Sequence, residues 1–288
     1  LVGYENERNK MLLDRLERLS FRSFKPLILA AFCSDQSIED INQLLSAAER
    51  YNFTLFTLSR RRENTGDTNF FSLARGLLRR EMTIASIVDD INEWVSKYYS
   101  AVKFGGYIDE QYEVNGSGFY RWDGLRYFLY EYEAYLRSRG KQSIEKIDWK
   151  SLTSTKKDHV TIEHIYPQTE TDDWADIFSE FDTEQKKLLT HSLGNLLPLS
   201  RSKNSSLQND SFSLKKNNGK GVGYYNGSAS ENEIAQLVQW DAQRILSRGV
   251  DLLKFMEERW DIEIGNDDFK KVILALNFIE NNKEEVVA

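Results

Sequence analysis

The chain has 288 residues, of which 40% are hydrophobic and 12% aromatic, and a formal net charge of −7. Such a composition excludes a disordered chain, and the length allows one large or two ordinary domains. A single cysteine, Cys33, excludes an internal disulfide and a cysteine-based zinc cluster, and it fits a reducing compartment, the cytoplasm.

No apolar run approaches the roughly 20 residues that span a bilayer, and the opening "LVGYENERNK" has no signal-peptide pattern. It also lacks a Met, which reads as the carboxyl part of a longer protein. The acidic balance argues mildly against nucleic acid as a partner, but the charge is uneven. Residues 59–80 carry six arginines against Glu63 and Asp67. Residues 195–225 carry Arg201, Lys203, Lys215, Lys216 and Lys220 against Asp210, whereas 231–288 are strongly acidic. Each basic stretch reads either as a solvated face or as a phosphate-facing side.

The first 150 residues show mostly helical periodicity. "NKMLLDRLERLSF" places Met11, Leu12, Leu16 and Leu19 on one stripe. Ser37 and Asp40 have capping-box spacing before the next helix. Ile84, Ile87, Ile91 and Val95 form a further stripe. "GGYIDEQYEVNGSG" at 105–118, with two glycine clusters, is expected to be a loop. "YRWDGLRYFLYEYEAYLRSRG" predicts an aromatic core helix stopped by Gly140.

From residue 158 the pattern changes. "DHVTIEHI" alternates and is rich in β-branched residues, so it predicts a strand. A long polar excursion follows, with a capping box at Asp182 and Gln185. "GNLLPLS" predicts a second strand, entered through Gly194, and "SRSKNSSLQND" a short helix capped by Ser200. Residues 209–230 read as loop. Ser230 and Glu233 read as a capping box before a long apolar stripe from Ile234 to Trp260, interrupted at Gly249. "DFKKVILALNFIENN" closes the chain as a helix, with a strand as the alternative for its middle.

Strand, loop, strand and short helix are the order of a ββα unit. Such a turn could bring Glu163 and His164, at the end of the first strand, together with Asn195 and Asn204. An imidazole is a general base suited to neutral pH, and a carboxylate with an amide oxygen is a hard donor set suited to Mg²⁺ or Mn²⁺. Phosphodiester hydrolysis requires both functions.

"IEHIYPQ" followed by "LGNLLPLSRSKNSSLQND" resembles the HNH, or His-Me finger, nuclease motif. More narrowly it resembles the carboxyl-terminal domain of GmrSD-type restriction endonucleases and related phage-defence proteins, and "FYRWDGLRYFLYEYE" and "WDAQRILSRGVDLLKFMEERW" support the narrower match. The resemblance covers residues 118–262 well and 1–117 loosely. It implies a mainly α chain: a helical accessory domain over 1–150, then an HNH nuclease domain over 151–288 with a ββα-metal core at about 158–209. It further implies His164 as general base and Asn195 as the residue that orients it and braces the strand pair. Glu163 and Asn204 would be the ligands of Mg²⁺ or Mn²⁺, with the choice between the two asparagines left open. Arg201, Lys203 and Lys215 are the candidate phosphate contacts.

The expected activity is a metal-dependent DNA endonuclease acting on modified or foreign DNA, partnered by an amino-terminal NTP-dependent sensing domain. A catalytically silent nucleic-acid-binding or protein-interaction module with the same ββα shape is the alternative. A helical scaffold with a buried structural histidine is a third reading. His191 reads as an exposed or capping residue before a turn rather than a zinc ligand, and His159 shows no partner. Pro167 is expected to stop the strand and hold His164 in one orientation.

Overall fold

The computed structural model describes residues 6–19, 22–61, 67–140, 145–156, 159–219 and 221–279. These are mainly helical, with one two-stranded sheet, and the chain divides into two compact units, Leu1–Phe104 and Gly105–Ala288.

The first unit holds α1 (Glu7–Arg18), α2 (Lys25–Cys33), α3 (Ile38–Tyr51), α4 (Asp67–Leu78) and α5 (Ile84–Tyr98). Here α1 and α5 pack on α3, and α2 packs on α4. The Ser37–Asp40 capping box forms as the spacing predicts, satisfying backbone donors that a helix start leaves orphaned. Ile84, Ile87, Ile91 and Val95 are all buried, since they recur on one helical face. Met11, by contrast, lies outside its stripe and is exposed, while Leu12 and Leu16 are buried. Beyond α3 the chain widens into a π-helical turn, Asn52–Leu58, where the Thr54 hydroxyl donates to the Arg50 carbonyl at 2.7 Å. Part of the basic stretch at 59–80, residues 62–66, lies outside the described residues.

The boundary between the units falls inside α6 (Ala101–Asn115), so the expected loop at 105–118 is instead largely helix. Burial of Tyr107, Ile108 and Tyr112 outweighs the cost of roughly 1 kcal/mol for each helical glycine. Gly116, at φ +65°, ends the helix in the left-handed conformation that a side chain disfavours.

The second unit continues with α7 (Leu125–Arg139), α8 (Trp149–Thr153), β1 (Val160–His164), α9 (Asp172–Ala175) and α10 (Thr183–His191). There follow β2 (Leu196–Ser200), α11 (Arg201–Leu207), α12 (Phe212–Lys216), α13 (Ala229–Ala235), α14 (Ala242–Trp260) and α15 (Asp267–Ile273). The aromatic helix α7, read by sequence into a domain over 1–150, packs within this unit: Phe128 meets Phe255 at 5.7 Å and Trp260 at 6.2 Å between ring centroids. Aromatic burial of this kind joins elements far apart in sequence.

Sheet register is antiparallel, with Val160 opposite Ser200 and His164 opposite Leu196. Helix α11 follows β2 directly and lies against both strands, capped by Ser200 as expected. The capping box of α10 at Asp182 and Gln185 also forms.

Three details depart from the sequence pattern. The box that starts α13 is Ser228 with Glu231, two residues earlier than expected, because Ser230 is taken by Glu133 of α7. Both Glu133 oxygens accept from the first turn of α13, Oε1 from the Ala229 N–H at 2.7 Å and Oε2 from the Ser230 N–H at 2.8 Å. The apolar stripe breaks after Ala235, leaving Val238 91% exposed, and α14 then runs through Gly249 unbroken. The segment 209–230 contains α12 rather than loop alone. After α15 the chain turns, so no strand forms there among the described residues. No helix of the described residues is long and apolar enough to cross a membrane.

Arg248 of α14, buried, donates from its Nη1 to the carbonyls of Gly194 at 2.7 Å and Leu196 at 3.0 Å, which fixes the entry to β2. Gly194 permits this contact by proximity and not by turn geometry: a Cβ there would stand 1.9 Å from the Ile245 carbonyl oxygen. Gly194→Ala is therefore expected to lower stability by about 3 kcal/mol. Gly106→Ala, where a Cβ meets nothing within 4 Å, should raise it by about 0.5–1 kcal/mol. Urea unfolding of both variants measures the two effects.

Candidate active site

A cleft of about 730 Å³ lies at the end of β1 and is lined by Tyr120, Glu163, His164, Gln168, Arg201 and Asn204 among others. Strand alternation puts Thr161 and Glu163 on one face of β1 and His164 on the other. On the first face, the Asn204 Nδ2 donates to the Thr161 hydroxyl at 2.9 Å, and that hydroxyl donates to the Leu199 carbonyl at 3.0 Å. Asn204 is thereby held against β1 with its Oδ1 as the remaining acceptor.

Glu163 is 4% exposed, and its Oε1 accepts from the Lys215 ammonium at 2.5 Å. Lys215 is completely buried and spends its other donors on the carbonyls of His164 at 3.1 Å and Ile165 at 3.0 Å. Burial pushes the Glu163 carboxyl up and the Lys215 ammonium down, and their mutual attraction opposes both shifts. The neighbouring Glu163 charge adds to burial in holding the Tyr224 phenol well above its ordinary value. Lys215 is thus not the exposed phosphate contact expected from the sequence. A lysine with all three protons engaged inside the fold has nothing left to offer a ligand.

Lys203, half-buried, is also engaged within the fold, through two of its donors. Its ammonium donates to the Glu231 carboxylate and, at 3.1 Å, to the Gly223 carbonyl. Only Arg201 of the three basic candidates is exposed at the cleft.

On the other face, His164 is 5% exposed and its ring packs on Tyr120, with centroids 4.6 Å apart. Its Nδ1 is 3.1 Å from the Gln168 amide nitrogen, and its Nε2 is 3.1 Å from Nδ1 of His191. Burial lowers the His164 imidazolium to about 3, helped by the nearby His191 and Lys215. His191 falls to about 4, first through burial and then through Lys187. Both rings are therefore neutral at pH 7. His191 is buried against His164, not exposed as its position before a turn suggests. The His159 ring bonds locally, with Nδ1 2.5 Å from the Lys156 carbonyl oxygen, while its backbone carbonyl accepts from the Arg201 N–H at 2.8 Å.

Asn195 does not line the cleft and has no hydrogen bond to His164. It is completely buried, and its Oδ1 accepts from the Tyr166 N–H at 2.8 Å and the Trp240 indole N–H at 3.0 Å. Its Nδ2 donates to the carbonyls of Tyr166 at 2.9 Å and Thr190 at 2.8 Å. The brace on the strand pair is thus direct, while any effect on His164 passes through the backbone. Pro167 leaves the strand beside this clamp.

The sequence pattern singles out neither Gln168 nor Tyr120, and His191, one of only three histidines, reads there as exposed or capping rather than as a neighbour of His164.

For a divalent cation, the hard oxygen donors at hand are the Asn204 carboxamide beside the cleft and the Glu163 carboxylate that Lys215 already engages, a set that suits Mg²⁺ or Mn²⁺ better than a soft metal. No group of three or more His, Cys, Asp or Glu able to hold a metal occurs among the described residues. Water and substrate phosphate would have to supply the remaining ligands.

The model of the GmrSD restriction endonuclease C-terminal domain family matches residues 110–255, a span that contains the cleft, both strands and most of α14. The chain belongs to this family. No curated protein and no solved structure matches. Membership makes this a GmrSD-type domain, of the restriction-nuclease class, and Glu163, His164, Asn195 and Asn204 all fall within the matched span.

The buried pair at the cleft can be separated energetically. Lys215→Met leaves a buried carboxylate alone and should cost about 3–5 kcal/mol of unfolding free energy, whereas adding Glu163→Leu should recover most of it. Urea unfolding of the single and double variants tests this coupling.

Proposed function

We propose that the second unit is a metal-dependent DNA endonuclease of the HNH type. The observation that supports this most directly is that His164, Glu163 and Asn204, from β1 and α11, are all among the residues lining one cleft. The antiparallel β1–β2 pair followed at once by α11 has the order of a ββα core.

In this reading His164, neutral at pH 7, accepts a proton from a water. The water oxygen bonds to phosphorus as the bond from phosphorus to the 3′ oxygen breaks, and the leaving oxygen takes a proton from solvent. Arg201 faces the substrate phosphates. Glu163 and Asn204 would hold Mg²⁺ or Mn²⁺, and the ion supplies neutralisation of charge on the scissile phosphate and the departing oxygen. By family resemblance, recognition of modified or foreign DNA belongs to an NTP-dependent partner domain, and the helical first unit is accessory.

One observation favours the second reading, a catalytically silent nucleic-acid-binding module: Lys215 already neutralises the carboxylate that would meet the cation. Supercoiled plasmid with Mg²⁺ or Mn²⁺ separates the two. The wild-type chain is expected to nick or linearise the plasmid, with His164→Ala slower by about 100-fold or more. Equal inactivity of both chains across metals and DNA types, with DNA binding retained, would establish the silent module.

A further inference from the structure

We infer that His191 is a positioning residue for His164: it holds the inner nitrogen of that ring so that Nδ1 is the one that works at the cleft. The inference rests on the reading of His164 as the base and adds a residue to which neither sequence pattern nor family match assigns a role.

The geometry is directional. Gln168 is exposed and lines the cleft, and its amide nitrogen is placed 3.1 Å from the His164 Nδ1, an arrangement in which the amide donates and Nδ1 accepts. A neutral imidazole with a bare Nδ1 carries its proton on Nε2. In that tautomer the Nε2–H donates to the His191 Nδ1 at 3.1 Å, and His191 carries its own proton on Nε2. The two rings stand nearly perpendicular, 86° apart with centroids at 4.9 Å, so a lone pair of one meets the ring edge of the other. Tyr120 covers both, at 4.6 Å from His164 and 6.0 Å from His191.

The two partners of His164 are unequal. His191 is buried at the end of α10, beside the Thr190 carbonyl that Asn195 holds. Gln168 is on the surface and can swing aside. A water replacing the Gln168 amide at Nδ1 finds a base already aimed. When that nitrogen takes the proton, the Nε2–H bond to His191 stays as it was, and the ring need not turn.

The test uses the full chain with ¹⁵N-labelled histidine, read by two-bond proton–nitrogen correlation at pH 7. Only three histidines contribute, so each is assigned by single replacement. The wild-type His164 is expected in the Nε2–H form. Gln168→Leu should leave that form in place, because the buried partner sets it. His191→Phe should give a mixture of tautomers and, in the plasmid assay, a kcat lower by about tenfold at unchanged KM. His191→Gln, whose amide oxygen can accept from Nε2–H, should restore both.

An Nδ1–H form in the wild type overturns the inference. So does a change of tautomer in Gln168→Leu, or a His191→Phe chain indistinguishable from wild type. If the wild-type chain cuts no DNA, the nuclease reading fails by itself, while the spectra of wild type and Gln168→Leu still decide which neighbour sets the tautomer.

Discussion

A single carboxamide holds the second unit's strands in place. Asn195 makes four side-chain hydrogen bonds, which fill its capacity, to three separate parts of the chain. Tyr166 lies just after β1, Thr190 in the last turn of α10, and Trp240 before α14. The Asn195 backbone carbonyl adds a fifth bond, accepting from the Ile165 N–H at 3.0 Å. All of this is buried, where an unmade bond costs about 1–3 kcal/mol per group. Any rearrangement of the β1 exit would therefore orphan several groups together. Arg248 and Gly194 act on the same point from the other side, drawing α14 against the start of β2.

The exit of β1 then divides two chemistries. Because side chains alternate along a strand, adjacent Glu163 and His164 leave on opposite faces. The carboxylate meets a buried ammonium from α12, and the imidazole meets a second imidazole from α10. Lys215 also ties the backbone carbonyls of His164 and Ile165, so the ion pair fixes the chain that carries the base as well as the acid. Such a pair is weak evidence for stability, since desolvation offsets much of its attraction. Its clearer effect is to leave one geometry in which every proton of Lys215 is satisfied.

Local signals proved legible where the partner lies within one turn. The boxes at Ser37–Asp40 and Asp182–Gln185, the cap at Ser200 and the stop at Gly140 all depend on groups three or four residues apart. The strand at Val160–His164 and its partner were also visible, through alternation and β-branching. Long-range contacts overrode local ones elsewhere. Glu133, almost a hundred residues away, claims Ser230 and moves the capping box of α13 to Ser228. Burial of Tyr107, Ile108 and Tyr112 carries a helix through two glycines that alone would read as loop.

The amino-acid sequence by itself determined the mainly helical class, the two strands with the helix after them, the family, and the candidacy of Glu163, His164, Asn195 and Asn204. These follow from periodicity, short-range capping and the spacing of a motif, all carried along the chain. Only the tertiary structure decided what each side chain touches. It turned Lys215 and Lys203 inward to carboxylates, left Arg201 at the cleft, gave Asn195 to the backbone and set His191 behind His164. The physical reason is that a charged or polar group inside a fold must find a partner, and that partner is set by packing rather than by distance along the chain.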